Sequence, residues 1–369
     1  MEPFKNEFSY QNALRLASAL ALVHPEFPTT AFRRGLEKAL APLELKQRMH
    51  LLADRVEACL PLAPPRLFPL LIRTLAKDEA DSQGLRGFIV WPLTEIIARR
   101  GMDFFEDAML ALREITSRFS AEFAIRPFLR AHPARTLLQL KEWCSHPDPH
   151  VRRLVSEGSR PLLPWGERLP EIMTNPALTL GLLEKLHRDS SPYVRLSVSN
   201  HLNDFSKSHP DLVLDTLTRW QQKSPACPDL AKLTRHACRT LIKQGHPAAL
   251  ALHGYGSAES LELTACTLTE STIPRGGSLG YRMIVRNHSR QDLRVLFDYA
   301  ILHRKANGSL TPKVFKGRSR ILAAGETWEI EGKHSFKPVT TRVYHPGIHR
   351  FEPRLNGKAF TAVEFLLDF

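Results

Sequence analysis

The sequence DPHVRRLVSEG at residues 148–158 recurs 43 residues later as SPYVRLSVSNH at residues 191–201. Each segment begins with a polar residue and a proline, which suit the start of a helix, and continues with apolar residues at helical spacing. The same offset places Leu137 on Leu180, upstream of the two segments. A repeat of this length cannot bury its own apolar face, so such units stack on one another. The sequence therefore predicts a solenoid of paired α-helices.

The pattern changes near Gly254 from helical spacing to short β-rich segments such as residues 281–286. Asn356-Gly357 suits a hairpin turn with positive φ, and about seven short strands fit an immunoglobulin-like sandwich. The 43-residue period lies in the range of HEAT repeats, whose inner helix typically begins Asp-Pro-x-Val-Arg. We therefore expect a mainly α chain. A HEAT-like α-helical solenoid at residues 1–253 should precede a smaller all-β immunoglobulin-like sandwich at residues 258–369.

Charge and hydropathy limit the kinds of partner. The 369 residues carry a formal net charge of +13 and have a pI of about 9.7. This balance favours a polyanion, chiefly nucleic acid or an anionic membrane surface, although a merely solvated basic surface is the alternative. No segment has the roughly 20 apolar residues of a membrane span. Glu2 and Glu7 argue against a signal peptide, so we expect a cytoplasmic protein.

The cysteines give no sign of a structural metal or of disulfides. They lie far apart, at positions 59, 144, 227, 238 and 266, and none forms a Cys-x-x-Cys pair. Neither a disulfide framework nor a zinc site is indicated. No metal and no cofactor are predicted.

The helix near residue 151 has two contrasting faces. The packed stripe should consist of Val151, Leu154, Val155 and Gly158. The opposite face should carry Arg153, Glu157 and Arg160. Inner helices of HEAT repeats line the concave side, where arginines can bind phosphates. A carboxylate among arginines would repel a nucleic-acid backbone unless it had a task of its own, which singles out Glu157 and, one repeat later, Asp204. The alternative is an ordinary Arg153–Glu157 ion pair within the helix.

Two further candidates lie outside these helices. Glu122 could pair with Arg126 one turn later, and Trp165 follows a helix end, where it could equally cap the core. Trp91 and Trp143 are predicted to be core residues.

Several linked segments resemble one family, the AlkC-type DNA alkylation repair glycosylases, related to the AlkD group of HEAT-like glycosylases. The resemblance rests on residues 119–128, 150–158, 161–165, 194–204 and 234–241. Residues 344–347 and 355–358 look like part of the immunoglobulin-like domain found in one AlkC subgroup. Asp-Pro-x-Val-Arg alone is common to HEAT proteins, whereas the combination of these segments is more specific.

The resemblance implies a monofunctional glycosylase that excises cationic N-alkylated bases, such as 3-methyladenine and 3-methylcytosine, from duplex DNA. It assigns the catalytic carboxylates to Glu122, Glu157 and Asp204, and contact with the lesioned nucleotide to Trp165 and Asn200. The residues expected to bind DNA are Arg152, Arg153, Arg160, Arg195 and Arg239. We expect a monomer whose partner is alkylated double-stranded DNA. The alternatives are a non-catalytic HEAT scaffold that binds DNA or protein, and an RNA-binding solenoid.

Overall fold

The structure is a computed structural model that describes residues 3–339 and 342–368. The chain divides into two compact units. The first runs to Ser208 and also contains Cys227–Ala237, and the second contains His209–Ala226 and the chain from Cys238 onward. The first unit is helical, whereas the second combines helices with β-sheets, which confirms the expected fold class.

The α-helices of the described chain are α1 (Tyr10–Val23), α2 (Thr29–Arg33), α3 (Leu36–Leu40), α4 (Leu45–Cys59), α5 (Pro64–Arg73), α6 (Trp91–Arg100), α7 (Phe105–Ile115), α8 (Ile125–Ala131), α9 (Pro133–Trp143), α10 (Pro149–Gly158), α11 (Pro170–Thr174), α12 (Ala177–Leu186), α13 (Pro192–Phe205), α14 (Pro210–Lys223), α15 (Pro228–Ala237), α16 (Arg239–Gln244) and α17 (Pro247–Leu252). Many begin with proline, whose missing N–H would have no partner inside the helix at that position. Short 3-10 helices lie at Phe4–Phe8, Gly87–Val90 and Ala258–Ser260.

The predicted repeat corresponds to α10 and α13, which pack against each other in the first unit. Val151, Leu154 and Val155 are at most 1% exposed, so the predicted packed stripe is confirmed. Gly158 continues it, because a Cβ there would lie 2.5 Å from Ile125 Cγ2. The placement of Arg160 on the opposite face of this helix is wrong. The helix ends at Gly158, and Arg160 lies in the turn that follows.

The second unit contains α14, α16 and α17 together with the strands. These are β1 (Leu261–Leu268), β2 (Thr272–Pro274), β3 (Ser278–Asn287), β4 (Leu293–Arg304), β5 (Leu310–Leu322), β6 (Thr327–Ser335), β7 (Gly347–Leu355), β8 (Lys358–Ala359) and β9 (Val363–Asp368). One sheet has the order β1-β3-β6 and the other β2-β9-β7-β4-β5, with β8 pairing with β7. Their apolar faces share one core, as in a sandwich. The strand β5 is an edge strand with exposed Lys313, Lys316 and Arg318.

The predicted turn at Asn356-Gly357 joins β7 to β8, and both residues have positive φ, +44° and +82°. Gly357 meets the backbone of Gly245 at the end of α16. A Cβ added to Gly357 would lie 2.5 Å from Gly245 Cα. The Asn356 amide donates to the Gly256 carbonyl at 2.8 Å. These contacts join α16 and the following segment to the strands within the second unit.

The independent folding of residues 1–253 and 258–369 stays a prediction. The compact units divide the chain elsewhere, because α14, α16 and α17 group with the strands. We expect a protease nick within residues 254–257 to leave fragments that elute together on gel filtration, since the contact between Gly245 and Gly357 survives the cut. Fragments that separate and remain folded alone would instead support the predicted boundary.

Buried histidines should make the second unit acid-sensitive. His303, His334 and His349 are at most 6% exposed. Burial, with the nearby Arg342 cation, lowers the pKa of His303 to about 3 and that of His334 to about 4. In the unfolded chain a histidine pKa is about 6.5, so the unfolded state binds protons first as the pH falls. The contribution of these histidines to stability is therefore full above pH 6.5 and declines from there to about pH 4 for His334 and about pH 3 for His303.

The measurement is the unfolding temperature at pH 7 and at pH 5. We expect a drop in wild type that is smaller in His334→Phe, which removes one buried titrating group. The exposed His288 provides the matched control, His288→Gln. An equal drop in all three proteins would mean that the buried histidines do not set the acid response.

Candidate active site

A cavity of about 290 Å³ in the first unit brings together several of the predicted functional residues. Its lining includes the carboxylates of Glu122 and Glu157 and the aromatic rings of Phe88, Phe119, Phe123 and Trp165. The volume is at the lower end of the range for small-molecule pockets. Aromatic faces attract cations, and carboxylates stabilise positive charge. The cavity is therefore chemically suited to a flat, positively charged group.

The three predicted carboxylates belong to one chain of ion pairs, in which acids and arginines alternate. Arg153 donates to Glu122 and lies 3.4 Å from Glu157 Oε1. Arg160 donates to the same Glu157 oxygen at 2.7 Å, and through Nε to Asp204 Oδ2 at 3.0 Å. The predicted Arg153–Glu157 ion pair is thus present, but it is one link of a longer network that spans two repeats.

Hydroxyl groups complete the hydrogen bonding of the carboxylates at the cavity. Ser120 Oγ donates to Glu122 at 2.9 Å, and Ser197 Oγ of α13 donates to Glu157 Oε2 at 2.7 Å. Each oxygen of Glu157 therefore has a fixed partner. Such a carboxylate is held in one orientation before any ligand arrives, as a preorganised electrostatic group requires.

The inner end of the network is deeply buried. Asp204 is 2% exposed and Arg160 is 6% exposed. Burial alone would lower the pKa of Arg160, but its hydrogen bond to Asp204 and the charge of Glu157 hold that pKa above its usual value. Arg160 thus stays cationic. Asp204 is not part of the cavity lining, whereas Glu122 and Glu157 are. It is connected to the cavity through Arg160, which also binds Glu157.

The predicted pairing of Glu122 with Arg126 is wrong. Arg126 is 1% exposed and donates to the carbonyl oxygens of Gly158 and Arg160, both at 2.8 Å, and of Glu167 at 2.7 Å. Burial lowers its pKa to about 10, so it remains charged near neutral pH. Arg126 therefore fixes the segment that carries Trp165. Sequence reasoning missed this role because the acceptors are backbone atoms far along the chain.

Trp165 lies in this segment with its side chain at the cavity. It is 52% exposed and has a φ of +62°, which is uncommon for a residue other than glycine. Lys46 donates to its carbonyl oxygen. This exposure does not fit the alternative that Trp165 caps the core. Trp91 and Trp143, at 2% and 5% exposure, are confirmed as core residues.

Asn200 lies on α13 outside the lining of this cavity. Its side-chain oxygen is 2.9 Å from His236 Nε2 of α15. The structure therefore places Asn200 at the next interface between repeats, and its predicted contact with the lesion stays a prediction.

Two of the arginines predicted to bind DNA connect neighbouring repeats. Arg152 forms a bidentate ion pair with Asp189, in which Nε donates to Oδ2 at 2.6 Å and Nη2 donates to Oδ1 at 2.9 Å. Arg195, the equivalent residue one repeat later, donates to the Asp189 carbonyl and pairs with Asp229 at 3.0 Å. Their guanidinium groups are thus engaged inside the solenoid, which gives them a structural role whether or not they also contact phosphate.

The remaining arginines have different surroundings. The Arg153 guanidinium also lies over the ring of Tyr193, at 5.0 Å, and Arg160 is buried in the network. Arg239 is the first residue of α16, in the second unit. Contact of these residues with DNA stays a prediction.

Within residues 3–339 and 342–368, no group of three or more His, Cys, Asp and Glu side chains could hold a metal ion. No helix in those ranges is both long and apolar enough to cross a membrane.

Comparison with known proteins gives matches over the whole chain. A family model described as DNA alkylation repair enzyme matches residues 103–241, and one described as the C-terminal Ig-like domain of uncharacterised protein YhaZ matches residues 262–369. Uncharacterized protein YhaZ of Bacillus subtilis (strain 168) is 37% identical over 343 residues, 93% of each protein. The solved structure of Pseudomonas fluorescens alkylpurine DNA glycosylase AlkC bound to DNA containing an abasic site analog is 35% identical. It matches with a TM-score of 0.92 over 100% of both chains.

Proposed function

Since the chain belongs to the AlkC-type DNA alkylation repair glycosylases with a C-terminal immunoglobulin-like domain, we propose that it excises 3-methyladenine and 3-methylcytosine from duplex DNA. The observation that carries this substrate class is the cavity itself. Two carboxylates and four aromatic rings line it, and alkylation at these ring positions gives a base a positive charge. We also propose that the enzyme acts as a monomer in the cytoplasm.

The carboxylates that line the cavity suit hydrolysis of the bond between base and sugar, which alkylation of the base has already weakened. The cationic base is a good leaving group, and the bond electrons neutralise its charge as the bond to the sugar breaks. The sugar then becomes positively charged, and Glu122 and Glu157 stabilise that charge at the cavity. Water adds to the sugar carbon and loses a proton to a carboxylate. Asp204 acts as a positioning residue, because it holds Arg160 against Glu157.

The decisive experiment is a single-turnover assay with excess protein and duplex DNA that contains 3-methyladenine or 3-methylcytosine. We expect release of both bases above the spontaneous rate, and no release of uracil, a neutral base. A duplex with unmodified adenine in the same sequence is the control. Release no faster than in buffer alone would refute the proposed substrate class.

Binding to duplex DNA should depend strongly on salt, because cationic side chains that contact phosphates release counterions. We propose that Arg153 and basic residues of the second unit make such contacts. We expect the logarithm of the affinity to fall linearly with the logarithm of salt concentration, with a slope of about −0.9 for each phosphate contacted. Arg153→Gln should make this slope less steep by about 0.9, the contribution of one phosphate contact. An unchanged slope would remove Arg153 from the DNA-binding residues.

A further inference from the structure

Two large aromatic side chains lie exposed beside each other at the rim of the cavity. Phe4 is 50% exposed and Trp165 is 52% exposed. Their ring centroids are 5.8 Å apart, and the ring planes meet at 76°. Neighbouring exposed aromatic rings indicate an interaction site, because burying the rings in the core would have stabilised the fold by removing them from water. Something other than the core therefore accounts for their position.

Both rings are held in place by the surrounding chain. Phe8, at the other end of the first 3-10 helix, is fully buried, and Lys5 pairs with Glu44 at 2.8 Å. Trp165 keeps its unusual φ while Lys46 donates to its carbonyl oxygen. Strained backbone of this kind persists only where the surrounding structure fixes it, and it clusters at functional sites. The pair is thus a fixed feature of the surface.

The position of Phe4 relative to the cavity suggests what the pair contacts. Phe4 contacts Trp165 and Phe88, two residues of the cavity lining, with ring centroids 5.8 Å apart in each case. Phe4 itself is not part of that lining. Trp165 lines the cavity with Glu122 and Glu157, and Phe4 continues its aromatic surface one ring farther from these carboxylates. If the lesion lies at the carboxylates, the base that adjoins it in the same strand would come to Phe4. The exposed cation of Lys46, whose acceptor is a neutral carbonyl, is close to the same place.

We propose that Phe4 and Trp165 form a stacking corner for the nucleobase that adjoins the lesion in the same strand. This inference rests on the proposed function for the position of the lesion. A flat base that stacks on one ring meets the other ring at its edge, since the two planes are nearly perpendicular. Stacking on aromatic side chains tolerates any base, and apolar side chains inserted beside a base step can hold it unstacked.

The test uses a duplex with an abasic analogue at the lesion position and 2-aminopurine as the adjoining base, so it does not depend on catalysis. Binding of wild type should change the 2-aminopurine emission through contact with the rings. Phe4→Leu keeps apolar packing against Phe88 and Trp165 but removes the ring. We expect it to lose most of that change and to bind about tenfold more weakly, within the usual effect of one base–aromatic stack. Phe4→Tyr should behave as wild type.

The matched control is Phe104→Leu, because Phe104 is an exposed phenylalanine, 36% accessible, next to α7. It should leave both emission and affinity unchanged. A second duplex, in which the adjoining nucleotide also lacks its base, separates direct stacking from a structural role. Wild type and Phe4→Leu should bind that duplex equally. A difference of tenfold that persists without the base, or an unchanged emission response in Phe4→Leu, would overturn the inference.

The base-release assay distinguishes this result from a failure of the proposed function. If the emission change depends on Phe4 but no alkylated base is released, the stacking corner is supported and the proposed substrate class is refuted. If cationic bases are released but the emission change does not depend on Phe4, the substrate class is supported and the stacking corner is refuted.

Discussion

Replacing Glu157 by glutamine is expected to slow the release of 3-methyladenine and 3-methylcytosine by about 10²- to 10³-fold, the usual effect of losing one preorganised electrostatic group. Glutamine has the same shape but no charge. Its oxygen can still accept from Arg153 and Arg160, and its NH₂ can donate to Ser197 Oγ, which then accepts instead of donating. The fold should therefore persist while stabilisation of the sugar cation is lost. DNA binding should stay the same or tighten, because a charge that repels phosphate is gone.

Asp204→Asn should have a smaller but clear effect. It leaves both lining carboxylates in place and weakens the hydrogen bonds that hold Arg160. Glu142→Gln, which makes the same change as Glu157→Gln at an exposed site on α9, serves as the matched control. Single-turnover rates, corrected for spontaneous loss of 3-methyladenine, are the measurement. Normal rates in both Glu157→Gln and Asp204→Asn would show an enzyme whose site lies elsewhere.

Gly357→Ala is expected to destabilise the second unit by about 2–5 kcal/mol, from the left-handed backbone and from overpacking combined. The residue has φ +82°, and an added Cβ would lie 2.5 Å from Gly245 Cα and 2.6 Å from the Gly245 carbonyl oxygen. These are backbone atoms, which cannot rotate away as a flexible side chain can. Relief would require α16 to move away from the turn.

Gly325→Ala is the control that separates the two contributions. Gly325 also has a positive φ, +75°, but a Cβ there would meet nothing within 4 Å. It should therefore show only the backbone cost, about 1–2 kcal/mol. Urea unfolding of the two variants and wild type gives the comparison. Equal losses in the two variants would contradict the close contact between the turn and the end of α16.

The fold was largely predictable because its signals are local and periodic. The segments at residues 148–158 and 191–201 each carry a helix start and an apolar stripe, and both became helices at the expected positions. Asn356-Gly357 likewise predicted its turn through the conformational freedom of these two residues. The pattern predicts a helix that continues past Gly158, whereas α10 ends there, so Arg160 lies in the turn that follows.

The site was predictable only in part, since its contacts join residues that are distant in sequence. Glu122, Glu157 and Trp165, which the family resemblance assigns to the site, line one cavity. The role of Arg126 depends on backbone carbonyls, which leave no trace in side-chain patterns. Phe4 meets Phe88 and Trp165 through the packing of segments that are distant in sequence, and no spacing rule connects them.

The strand β5 has a practical consequence for handling the protein. An exposed sheet edge can pair with the same edge of another copy, and charged side chains oppose such pairing. Lys313, Lys316 and Arg318 would face like charges in that arrangement. We expect their mutual repulsion to keep copies apart at low ionic strength, whereas in 1 M salt the screening length shrinks to about 3 Å. Aggregation is therefore expected in concentrated stocks at high salt, and salt titrations should be run on dilute protein.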